Sequence, residues 1–204
     1  MIALNVTDSP YYCRTKDILW FTDTRTVIDL LNAGAKPDEI KERIEKENLF
    51  SAASASRAKE IRQAILRRID SVNENYLRFF GTQDSRTQKL LCVIMIMLTD
   101  RTFYEFMDAV FREKLIKNDL SLKDSDILSF LHEIQSKDAQ AASWTDAGMK
   151  KARGNYKQIL KDAGLTTDEK SDRRILRPLL NRDTVELLNK EGLSSVRKIL
   201  SGER

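Results

Sequence analysis

The chain has 204 residues, 41% hydrophobic and 32% charged, with 35 Lys and Arg against 31 Asp and Glu and a formal net charge of +4. That balance is too apolar for a disordered chain and too charged for an integral membrane protein, and the length suits one domain or two small ones. Seven Gly and three Pro are too few for the tight turns of an all-β fold, so an all-α, mainly helical class is expected.

Met1 to Arg14 reads as an extended arm, with Tyr11 and Tyr12 as its anchors. From Thr15 to Asn32 apolar residues recur at helical spacing, and Gly34 stops that helix. Pro37 opens a second helix, with Asp38 and Glu39 in its first turn, and it runs out near Asn48. The small-residue run Ser51 to Ser56 leads into a third helix, Ser56 to Val72. Phe79-Phe80-Gly81 and Thr82 to Ser85 read as a break. The apolar run Leu90 to Leu98, LLCVIMIML, then forms a buried central helix. Its nine residues fall short of the about 20 that span a membrane, so no membrane insertion is expected. Helices follow at Thr102 to Leu115, Ser125 to Ser136 and Thr145 to Gly164. Leu165 to Arg182 reads as a short β-hairpin or wing with a charged tip, and Asp183 to Asn189 and Ser194 to Leu200 close the chain. The organisation is either 1–82, an N-terminal helical region, and 83–204, the central helix with a basic C-terminal region, or one compact domain.

Catalytic signatures are absent. The single histidine, His132, rules out His-rich metal sites and HExxH, and the glycines fit neither a P-loop nor GxGxxG. No cofactor, metal or catalytic residue is expected. His132 reads as a satisfied structural histidine, and Cys92 as a buried, inert thiol inside the apolar run. Two cysteines, no CxxC and no secretory leader fit a reduced cytoplasmic protein.

The charge is segregated. Lys150 to Arg182 holds ten basic and four acidic residues, whereas Asp100 to Asp138 holds six basic and nine acidic. On a helical wheel Lys150, Arg153, Lys157 and Lys161 form a stripe beside an apolar face, and Lys151 lies near it. Such a stripe can follow a line of phosphates; it can equally be a solvated face. Gly34 to Val72 reads as a helix-turn-helix-like element. Lys59, Arg62, Gln63 and Arg67 sit on its second helix, and Ser54 and Ser56 at that helix's start could hold phosphate. The connection is longer than the usual turn, and a structural helical hairpin fits this stretch as well. Arg173, Arg174 and Arg177 are candidate wing residues on a winged-helix-like region, or members of a mixed-charge surface loop.

The ordered features are LLNAGAKPDEIKERIEKENLF (30–50), SRAKEIRQAILRRI (56–69), the central apolar helix, SWTDAGMKKARGNYKQILKDAGL (143–165) and the hairpin ending in RPLL (177–180). Over nearly the whole chain they resemble the BrxA family of bacteriophage-exclusion (BREX) defence systems. The resemblance implies a small, cytoplasmic, non-enzymatic helical protein with a fold similar to the NusB antitermination protein. It implies binding to double-stranded DNA beside other BREX defence proteins. A description of the family as an inner-membrane protein conflicts with the nine-residue apolar run. The alternatives are an RNA-binding, antitermination-like module, for which the same stripe would serve, and a protein–protein adaptor using the acidic Asp100 to Asp138 region. Phosphate contacts carry no sequence code, so no target sequence follows.

Overall fold

The helix α5, Ser85–Thr99, is buried on every side from Leu90 to Leu98 in the computed structural model, which describes residues 1–2, 5–170 and 172–204. Helices α1 (Phe21–Asn32), α3 (Ala55–Asp70), α4 (Glu74–Thr82) and α6 (Arg101–Phe106) pack around it. Helix α2 (Pro37–Lys46) lies on α3. The chain continues from α6 through a π-helical segment, Met107–Arg112, into α7 (Glu113–Lys117). Two longer helices, α8 (Asp124–Lys137) and α9 (Asp146–Asp162), pack together. Phe103 and Phe106 of α6 meet Phe130 of α8 and Tyr156 of α9, with ring centroids 5.0–6.0 Å apart. Helices α10 (Arg182–Lys190) and α11 (Ser194–Ser201) close the chain, α11 against the π segment. Core residues from both sides of position 82 belong to one hydrophobic cluster.

Local chemistry sets the boundaries. Ser54, Asn73, Asp84, Asp100, Thr145 and Asn181 each accept a backbone N–H from the first turn of the helix they precede. Three expectations are corrected. The first helix begins at Phe21 rather than Thr15. Trp20 is left-handed at φ 45°, and the carbonyls of Ile18 and Leu19 accept the Arg68 guanidinium at 2.8 and 3.1 Å instead of helical N–H groups. Phe79 to Gly81 stays helical, and the break comes only at Gln83. His132 is exposed, its Nδ1 3.2 Å from Gln135 Oε1.

The C-terminal hairpin forms, with an addition that sequence did not suggest. Leu165 and Thr166 lie alongside Leu176 and Ile175, with Thr166 bridging Ile175. The return strand β2, Asp172–Arg174, then pairs antiparallel with β1, Ser121–Lys123. Leu122 and Arg173 stand opposite each other on the buried side, and Lys123 and Arg174 point outward.

The N-terminal arm is held by polar contacts. The Tyr11 hydroxyl reaches Glu105 at 2.8 Å, and its ring lies 3.9 Å below the Arg101 guanidinium. Tyr12 is held through its backbone by Thr102. A relay then runs from buried Asp100 to Arg14 (3.4 Å), from Arg14 to Asp17 (3.7 Å) and from Asp17 to Arg67 (2.7 Å). Burial pushes the Asp100 carboxyl up to about 6, against the downward pull of Arg14. The folded chain therefore holds that proton more tightly than the unfolded chain. The residue's contribution to stability is greatest below the unfolded pKa and falls as pH rises through about 6. Asp100→Asn retains an oxygen to cap α6. On going from pH 4.5 to 7.5, wild type should lose on the order of 2 kcal/mol relative to this variant in urea titrations. A pH-independent difference would show that Asp100 titrates normally.

Candidate nucleic-acid interface

Helix α9 carries the basic stripe because Met149, Ala152, Tyr156, Ile159 and Leu160 are buried, leaving its lysines on the remaining arc. The structure brings this stripe against the start of α8. Asp124, the first residue of α8, accepts Arg153 Nη1 at 3.2 Å and Lys157 Nζ at 2.5 Å. Its carboxylate also faces the positive end of its own helix. Lys157 reaches the Lys170 carbonyl as well, which ties the hairpin tip to α9. Lys161 pairs with Asp168 at 2.7 Å, and this contact holds the Asp168 carboxyl below the usual carboxylate range. Arg173 is buried, donates to the Lys157 carbonyl at 3.0 Å and lies 3.8 Å from Asp168. Arg177 donates to the Leu115 carbonyl and to Asn118, at 2.9 and 3.1 Å.

The stripe therefore divides in two. Arg153, Lys157, Lys161, Arg173 and Arg177 hold α9, the hairpin and α7–α8 together. Lys150, Lys151 and Arg174 are exposed and make no ion pair among the described residues. Lys123 and Lys170 share that condition beside them. Sequence reasoning did not place these two at the site. Lys170 was legible only as part of a charged tip. Lys123 lies in the acidic stretch, and only the non-local pairing of β1 with β2 brings it there.

The α2–α3 region is separate in the sequence and differently paired. Lys59 and Gln63 are exposed. Arg62 is paired with Glu45 of α2, and Arg67 with Asp17 of the arm. Ser54 already spends its hydroxyl oxygen on the Arg57 N–H, at 3.2 Å. Arg68 is buried, packs against the Trp20 ring and is a structural residue. Lys41, Arg62, Gln63 and Arg67 line a shallow groove between the two helices.

Elsewhere the described residues contain no group of three or more His, Cys, Asp or Glu placed to hold a metal ion. Burial raises the Cys92 thiol to about 12, far from a nucleophile's range. No helix among the described residues is long and apolar enough to cross a membrane.

Fold and surface together define a helical protein built on one apolar axis, with a basic face of helix and two-stranded sheet. The BrxA family model matches residues 13–192, and the chain belongs to the BrxA family. It is 37% identical to a Bacillus cereus (strain H3081.97) protein named BREX protein BrxA, covering 91% of this chain and 92% of that protein. A crystal structure of an uncharacterized protein from Magnetospirillum magneticum has the same fold, with a TM-score of 0.79 over 95% of this chain and 100% of that one. At 16% identity it speaks for the fold alone.

Removing the shared carboxylate tests how the stripe is held. Asp124→Asn leaves Arg153 and Lys157 as unpaired, adjacent cations. Tm should fall by a few degrees at low salt, corresponding to about 1–2 kcal/mol, and recover in part at about 1 M salt. An unchanged Tm in both conditions would show that these pairs contribute nothing.

Proposed function

We propose that the chain is a non-enzymatic accessory protein of a BREX phage-defence system that binds duplex DNA, mainly through its phosphates. Membership in the BrxA family supports the defence role. One observation carries the binding role: Lys123, Lys150, Lys151, Lys170 and Arg174 are exposed and without carboxylate partners around a scaffold whose other cations are fixed. Unpaired surface cations are the groups that release counterions when they meet a polyanion. Arg153, Lys157 and Lys161 contribute field and position the face, while Arg173 and Arg177 act structurally. Lys59, Gln63 and Arg67, with Arg62, form a candidate second surface of the helix-turn-helix kind.

Duplex is favoured over single-stranded RNA by what the face lacks. Tyr156 is buried on α9, and among the described residues the exposed large hydrophobic ones are Met1, Tyr12, Leu176 and Leu179. Tyr12 is the sole aromatic among them, and a stacking platform needs several exposed rings. The adaptor reading rests on a different groove. Glu113, Asp126 and Glu133, paired with Lys117, Lys114 and Lys137, line a depression between α7 and α8 together with Val110 and Phe130. That groove suits other components of the defence system as protein partners.

Fluorescence polarisation with a ~20-bp duplex across a salt series tests the proposal. Four to five phosphate contacts give a log–log slope of roughly −3.6 to −4.5. Lys150→Glu with Lys151→Glu should flatten it by about 2 and weaken binding at least about tenfold at low salt. Tighter binding to an RNA hairpin of equal length would move the assignment to RNA. No binding to either would leave the adaptor role.

A further inference from the structure

Gly154 stands at the middle of α9 and is exposed. The other six glycines differ from it in backbone conformation or in what a side chain would meet. Gly34, Gly164, Gly192 and Gly202 take positive φ, between 71° and 90°. A Cβ at Gly81 would lie 2.8 Å from Asn32 Nδ2, and one at Gly148 would lie 3.2 Å from Thr145 Oγ1. A Cβ at Gly154 would meet nothing within 4 Å, and its backbone is ordinary right-handed helix. Nothing inside the protein requires glycine there, and glycine in a helix interior is less stable than alanine.

Its neighbours on the helix surface are the residues three and four positions away: Lys150, Lys151, Lys157 and Gln158. Lys150 and Lys151 are exposed and unpaired, Lys157 is turned to Asp124, and Gln158 donates to Asp162 at 2.7 Å. The helix thus has a side-chain-free gap framed by two available cations. We infer that Gly154 is the point of closest approach of a nucleic-acid sugar–phosphate backbone to α9, with Lys150 and Lys151 holding the phosphates beside it. The inference rests on the duplex-binding reading above and adds a residue that carries no charge. Close packing of a backbone needs an absent Cβ, whereas phosphate attraction alone does not.

Gly154→Ala and Gly154→Gln test it with the full chain, a ~20-bp duplex and thermal denaturation. The alanine variant should melt about 1–4 °C higher, since it replaces glycine in an uncrowded helix, and yet bind severalfold more weakly. The glutamine variant should bind at least about tenfold more weakly, with its salt slope unchanged because no charge is altered. Wild-type affinity in both variants, alongside a wild type that binds duplex, would overturn the role of Gly154 and leave the duplex-binding reading intact. A lower Tm in the alanine variant would reveal an internal reason for glycine and overturn it too. A wild type that does not bind duplex would remove both.

Discussion

A helix with nine consecutive apolar residues has no face to give to water. Leu90 to Leu98 is buried on every side, and each such side chain contributes about 1.5–3 kcal/mol when it leaves water. Covering it takes α1, α3, α4 and α6, which turn their apolar sides inward and, apart from the buried Arg68 of α3, their charges outward. The distribution of surface charge is therefore a consequence of how the axis is wrapped. Helix α9 lies farther out, joined to α6 by the aromatic contacts of Tyr156 with Phe103 and Phe106 and to α8 by the Asp124 ion pairs. That position exposes a long arc on which lysines can accumulate.

The N-terminal arm binds the wrapped helices to one another. Asp100, Arg14, Asp17 and Arg67 make a chain of charges from the start of α6 to the outer face of α3. Asn155 of α9 donates to the Arg14 carbonyl at 3.2 Å, so the same segment touches the helix that carries the basic stripe. Buried charges of this kind are sustained by partners rather than by water. Through this segment α3 and α9 are linked to the start of α6.

Much of the architecture was legible in the sequence. Apolar residues at helical spacing, the capping Thr145 and the stop at Gly34 placed most helices within a few residues, while the Ser54 cap of α3 emerged only in the structure. What was not legible is non-local. The apolar pattern read as helical from Thr15 begins with Ile18 and Leu19, yet their carbonyls go to Arg68, a residue 50 and 49 positions away. Strand β1 is three residues long, too short for alternation to mark it, and its partner lies 51 residues away. The site was legible as a stripe but not as a set of pairings. Spacing put Lys150, Arg153, Lys157 and Lys161 on one side of a helix; only the fold shows that Asp124 engages two of them and leaves Lys150 free. Lys123 could not be found from its own neighbourhood, which is acidic. The features that carry the family resemblance lie between residues 30 and 180, inside the stretch 13–192 that the BrxA family model matches.

The central claim is that the available cations around α9 and the two-stranded sheet form the surface that meets duplex DNA. Acetylation of lysines, read by mass spectrometry with and without a saturating ~20-bp duplex at low salt, tests it at single residues. The account predicts protection at Lys123, Lys150, Lys151 and Lys170, with Lys190 and Lys198 on α10 and α11 reacting equally in both conditions. Protection confined to Lys41 and Lys59, or uniform reactivity across the chain in a sample shown to bind DNA, would contradict it.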